Sequence, residues 1–200
     1  MSYKIGSRDY LSRARERLDE NKPESLFYAA LELRFGIEAR LKKYLDANIE
    51  LSKKKKNGWQ IAVLGKNVEN VFKQSNKLVR FKIYDEHQKK ELGELLYTPV
   101  SKKLIKDGEK IGKLLHSNRH FETQDLDWSS KTKDFLEAVY RELELANKGT
   151  LLGPPLYSPR LDKVDLNIEF YEGYNPRAMS DEAGGVGAKI IIEISYPDSL

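Results

Sequence analysis

The chain contains no cysteine and only three histidines in 200 residues. Without cysteine there are no disulfides, no thiolate nucleophile and no cysteine-ligated metal, a composition that fits a reducing cytoplasm. No stretch approaches the roughly 18 consecutive apolar residues of a membrane span. The first residues, MSYKIGSRDYLSRARER, lack the apolar core of a signal peptide. A cytoplasmic location with no membrane partner is therefore expected. Charge of one sign is also scarce: 35 basic side chains against 31 acidic ones leave a net charge of +4. That balance permits a polyanionic partner without demanding one. There is no Walker loop, zincin helix, EF-hand or nucleophile elbow. Gly184-Gly185-Val186-Gly187 is glycine-rich, but it precedes a strand-like segment, whereas a phosphate loop follows a strand and opens a helix. A hairpin loop is its plainer reading, and no cofactor is expected.

What the chain has is helical periodicity. In Glu24 to Asn48, the residues Leu26, Ala30, Leu33, Ile37, Leu41 and Tyr44 recur at three- and four-residue spacing, the period of one buried helix face. Phe27, Leu31 and Phe35 make a second stripe beside it. Such a helix, roughly 37 Å long, reads as the centre of a bundle with several neighbours. Ser7 to Glu20 predicts a first helix, with Ser7 as N-cap and Asp9 favoured by the helix dipole. Asn21-Lys22-Pro23 breaks it, and so short a break makes the two helices antiparallel neighbours. A third helix is expected over Trp59 to Phe72, with Gly65 as a weak point. A fourth ends near His116, interrupted or kinked around Gly108. A fifth spans Ser129 to Lys148 and is stopped by Gly149.

The period then changes in two places. Leu78 to Tyr84 alternates, with Val79, Phe81 and Ile83 on one face, and Leu92 to Val100 is the expected return strand, although this arm could also be helical. Leu151 to Arg160, with three prolines, reads as a linker without an element of its own. Beyond it Val164 to Phe170 and Ala188 to Ile194 alternate and are expected to form a hairpin, either packed on the bundle or joined to the earlier strands. The fold class is thus α+β, mainly a helical bundle with an inserted β-hairpin and a C-terminal antiparallel β-hairpin. Its division would be residues 1–150, carrying the insertion at about 78–100, and residues 151–200, packing on the bundle.

Four groups of residues bear on chemistry. His116-Ser117-Asn118-Arg119-His120 collects two imidazoles, an amide and a guanidinium at a helix end. A histidine near neutral pKa can take a 2′-OH proton or protonate a leaving oxygen, and an arginine can hold charge developing on phosphate. The plainer alternative is a capping or interior His116 with Arg119 and His120 at the surface. His116 and His120 are spaced to share a helix face, but no third metal ligand follows in a standard pattern, so no metal is expected. The run Lys53, Lys54, Lys55 and Lys56 reads as a solvated loop or, alternatively, as a nucleic-acid-binding, phosphate-facing patch. Glu38 and Lys42 stand at i, i+4 as a solvated pair, with Arg34 one turn before them. His87, in the hairpin turn, reads as an exposed turn residue.

The segment YLSRARERLDENKPESLFYAALELRFGIEARLKKYL resembles the first two helices of the HEPN superfamily. The resemblance rests on Ala and aromatic residues early in the second helix and on a later glutamate followed by a basic residue, matched by Glu38 and Lys42. It covers residues 8 to 48 well and extends loosely to 148. It implies an RNA-engaging protein of a prokaryotic phage-defence or toxin–antitoxin type system, acting as a homodimer, with an antitoxin or other protein partner. Active members are metal-independent endoribonucleases with an Arg-x4–6-His motif in a site shared across a dimer. Here five residues separate Lys110 from His116 and no arginine takes that place. Arg80 and His87 have six residues between them, but Arg80 lies in a strand-like segment. The resemblance therefore implies His116 as general acid/base, Arg119 or Lys110 as phosphate holder, and Glu38, Lys42, Asn118 and His120 in support. The alternative it leaves is a catalytically inactive protein-binding or nucleic-acid-binding module that dimerises through its bundle.

Overall fold

The structure, a computed structural model, describes residues 5–48, 51, 52, 56, 58, 60–72, 77–85, 90–116, 126–154, 156–158, 163–165, 168, 169 and 190–197. Among these residues five helices carry most of the regular structure: α1 (Ser7–Asp19), α2 (Pro23–Ala47), α3 (Ile61–Val71), α4 (Lys102–His116) and α5 (Leu126–Asn147). Five strands accompany them: β1 (Val79–Asp85), β2 (Glu91–Tyr97), β3 (Leu156–Ser158), β4 (Lys163–Asp165) and β5 (Ile190–Ser195). The fold is α+β and mainly helical. Backbone packing groups Met1–Asn76 with Val100–Asn147, and Lys77–Pro99 with Lys148–Leu200. The inserted hairpin thus belongs with the C-terminal segment, whereas the sequence division kept it with the helices.

The helical unit is built around α2, which contacts all four other helices. Its stripe Leu26, Ala30, Leu33, Ile37, Leu41 and Tyr44 is buried throughout. The second expected stripe differs. Leu31 is 37% exposed and Phe35 39%, and the second buried set is Ala29, Gly36, Arg40 and Leu45. Small residues on that set let neighbours approach: a Cβ on Gly36 would stand 2.7 Å from the Leu143 side chain. Arg40 is fully buried, its Nε donating to the Tyr44 hydroxyl at 3.1 Å.

One expectation about helix ends changes, and the break between the first two helices falls where expected. Ser7 is not the N-cap of α1. Gly6 caps in extended conformation, and its N–H donates to the Asp9 carboxylate at 2.9 Å. Ser7 is buried in the first turn, where its hydroxyl donates to the Gly36 carbonyl at 2.8 Å and accepts from Asn147 Nδ2 at 3.0 Å. A short hydroxyl can serve either a cap or a tertiary bond, and here the tertiary bond wins. Between α1 and α2, Asn21 turns the chain with a φ of 51°, a left-handed conformation asparagine tolerates, and Pro23 opens α2.

Glycine also misled the helix reading. The helix α4 runs through Gly108 without interruption. A Cβ there would lie 2.7 Å from Ile61 and 3.2 Å from Ile37. Gly65 in α3 has the same use, with Ile105 2.6 Å from where its Cβ would be. The helix cost of each glycine, about 1 kcal/mol, is met by packing that no larger residue allows.

In the sheet unit, β1 is central in the order β2-β1-β5, antiparallel to both neighbours. Its face Val79, Phe81 and Ile83 is buried, as the alternation predicts. Among the described residues, the last strand does not pair with the segment after the linker. It pairs with β1, with Ile194 opposite Phe81 and Ile192 opposite Ile83. Period-2 alternation fixes which face of a strand is apolar but not which strand it joins. The proline-rich segment carries an element after all: β3 occupies the residues between Pro155 and Pro159 and pairs with β4. Three residues fit between the prolines because proline is tolerated where a strand begins or ends. Among its described residues, Val164 to Phe170 contributes to β4 and makes one bridge, from Ile168 to Leu151.

Candidate functional site

The polar side of α2 meets α4 at a notch made by two glycines one turn apart. A Cβ on Gly112 would overlap the Arg34 guanidinium, as a Cβ on Gly108 would crowd Ile37 and Ile61. Residue 37 thus lies over 108 and residue 34 over 112, so α2 and α4 run antiparallel here. Arg34 Nη1 reaches toward the Gly108 carbonyl at 3.5 Å, and its Nε pairs with Glu38 Oε1 at 3.1 Å. Both side chains are mostly covered, at 15% and 19% exposure. Burial pushes the Glu38 carboxyl above the usual range, opposed by the charge of Arg34 and its hydrogen bond.

His116 lies one further turn along the same face of α4 as Gly108 and Gly112. It is exposed at the last position of the helix. Its exposure speaks against the interior reading, since Leu114 and Leu115 are half-buried and the imidazole is open, whereas its place in the last turn is compatible with the capping reading. Arg34 lies over Gly112, one turn before His116, and exposed Lys113 shares the last turn of α4 with the imidazole. The sequence pointed instead to Lys110, which is engaged elsewhere. Its Nζ pairs with buried Asp107 at 2.7 Å and sits 5.7 Å from the Phe135 ring centre. Six residues of helix also rotate Lys110 about 120° away from His116.

Glu38 and Lys42 are not a pair. Glu38 turns back to Arg34, because the notch offers burial on that side, and Lys42 is exposed with no ion pair among the described residues. The antiparallel register also carries Lys42 toward the start of α4, away from His116. Asn118, Arg119 and His120 lie outside the described residues, as do His87, Lys53, Lys54 and Lys55. Lys56 donates to the Asp46 carbonyl at 3.0 Å, placing a cation at the C-terminal end of α2, where the helix dipole favours it. Arg34 is the residue sequence reasoning passed over. Its signal was present but split: an arginine one turn before Glu38, and two glycines four apart on a distant helix.

No group of three histidine or carboxylate side chains that could hold a metal occurs among the described residues. A groove of about 340 Å³ between α3 and α4 is lined by Gly65, Val68, Val100 and Ile105. Two of its charged lining residues, Lys102 and Glu69, pair with each other at 2.8 Å, so it gathers no reactive cluster. Compared with known family models, curated proteins and solved structures, the chain matches none.

Proposed function

We propose that this protein engages RNA as an HEPN-like member of a prokaryotic defence or toxin–antitoxin type system, with His116 as its proton-transfer group. The observation that carries the reading is the open imidazole at the end of α4, one helical turn from the glycine over which Arg34 lies. An imidazole can move the 2′-OH proton at neutral pH, and a nearby guanidinium favours a phosphate. In this reading Arg119 would hold the phosphate, Glu38 would hold Arg34, and no metal would take part.

A specific observation favours the second reading, a binding module without catalysis. Two described cations on or beside α4 are already committed, Arg34 to Glu38 and Lys110 to Asp107. A guanidinium bonded to a carboxylate has less to offer a phosphate.

Incubating the purified protein with labelled RNA in chelator, beside His116→Ala, separates the two. Cleavage by the wild type that the variant loses by about 10²-fold or more supports proton transfer by His116. Equal cleavage by both overturns it. Salt-sensitive RNA binding without cleavage supports the inactive module, and absence of RNA binding removes both RNA readings.

A further inference from the structure

The three-stranded sheet has two unlike edges. On the β2 side, the main chain is met by Thr150 and Leu151. The Leu96 N–H donates to Thr150 Oγ1 at 2.9 Å, and its carbonyl accepts from the Leu151 N–H at 2.8 Å. That edge also carries exposed Glu91 and Glu94, and its register against β1 breaks at Ile83 and Tyr84. Charges, irregular register and a covering segment are the usual protections of a sheet edge. The β5 side is different. Its register with β1 is unbroken, and among the described residues no strand pairs with its outer edge. Every side chain from Ile191 to Tyr196 is exposed, and the strand holds one charge, Glu193.

That charge and the alternation around it define what fits. Glu193 lies opposite Lys82, but Lys82 pairs with Glu91 at 2.9 Å. Arg80, on the same face of β1, pairs with Glu94 at 3.3 Å. Both cations of that face are thus directed to β2, and Glu193 makes no ion pair among the described residues. Ile192 and Ile194 occupy the opposite face, in register with Ile83 and Phe81. A complementary strand therefore needs aliphatic side chains at alternate positions and a cation between them on the other face. A second copy of β5 does not meet that need. IIIEIS contains no basic residue, so self-pairing leaves both Glu193 carboxylates without a cation.

We propose that the outer edge of β5 takes a further strand from another protein. The segment is extended, with aliphatic residues along Ile192 and Ile194 and a lysine or arginine beside Glu193. Main-chain hydrogen bonds supply the affinity and the alternate side chains the selectivity. No residue of α2 or α4 takes part, so this contact stands or falls apart from the RNA reading.

The test titrates the full chain with a capped, fluorescein-labelled peptide of sequence TVKVTV and with its charge-reversed counterpart TVEVTV, read by fluorescence anisotropy. TVKVTV is expected to bind saturably below about 1 mM and to slow hydrogen exchange at the β5 amides. TVEVTV should bind up to about fivefold more weakly, the range of one cross-strand charge pair. Glu193→Lys should invert that preference, and Ile192→Lys should weaken both peptides by at least about tenfold, since an edge lysine opposes strand addition. Both positions are exposed, so circular dichroism and thermal melts of the variants should match the wild type. Absence of saturable binding overturns the proposal. So does binding that leaves β5 exchange unchanged, or a peptide preference that Glu193→Lys does not invert. A wild-type dimer in sedimentation that Ile192→Lys dissociates, without peptide binding, overturns it by assigning the edge to a second copy.

Discussion

Two apolar segments of this chain have opposite fates. Ile37 and its companions on α2 are at most 3% exposed, while Ile191, Ile192 and Ile194 on β5 are 44%, 45% and 52% exposed. A helix surrounded by four others buries its stripe whatever lies on its remaining face. A strand in a three-stranded sheet gains its main-chain hydrogen bonds first, and side-chain burial depends on what covers the faces. Hydrophobic patterning therefore carries more information about α2 than about β5.

The sharpest way to break this comparison is a pair of truncations. Ile37→Ala should cost about 2–5 kcal/mol, and Ile194→Ala less than about 1 kcal/mol, since little of its surface is removed from water. Urea unfolding followed by circular dichroism checks both, and similar losses would mean the two segments are not so different. Next in size is the glycine notch. Gly108→Val adds bulk where Ile37 and Ile61 already crowd, and should cost about 1–3 kcal/mol despite the better helix propensity of most residues over glycine. If it stabilised instead, the notch would be loose.

Ser7→Ala comes third. It removes a buried hydroxyl that serves both Gly36 and Asn147, an expected loss of about 1–2 kcal/mol in the same unfolding assay. The smallest effect concerns pH. The Glu137 carboxyl is held below the usual range chiefly by its hydrogen bond from Arg15, at 2.6 Å. The stability it brings is present above the ordinary glutamate range and is lost as pH falls through its folded pKa. Glu38 behaves in reverse. Burial raises its pKa, so the folded state holds that proton more tightly and stability is gained as pH falls through the folded value toward the ordinary one. On acidification the wild type should lose ground to Glu137→Gln and gain on Glu38→Gln. Each change should stay below about 1 kcal/mol, because solvent screens partly exposed pairs.

The bundle was legible where one physical rule acted alone. The spacing of Leu26 to Tyr44 has a single cause, and all six residues are buried. Val79, Phe81 and Ile83 were legible for the same reason. Reading failed where two rules competed. Ser7 could cap a helix or bond across the bundle. Gly108 weakens a helix by propensity and strengthens it by close packing. Arg40 gave no signal at all, since nothing in its neighbourhood marks an arginine for burial. The candidate site was half legible: His116 stood out by chemistry, but its companion Arg34 is set by a register between α2 and α4 that no local pattern encodes. The partner of β5 lay more than a hundred residues back in the chain, and alternation alone does not choose among strands.

The bond between Ser7 and Asn147 spans 140 residues. On a ribosome adding about 5–20 residues per second, the first helix therefore waits on the order of 7–28 s for its last buried partner to be made. Through that interval α1 and α2 can pair, but the helical unit cannot close, and the apolar side of α2 destined for α5 stays open. The nascent chain is most vulnerable to wrong partners then, and the end of α5 is what ends the exposure.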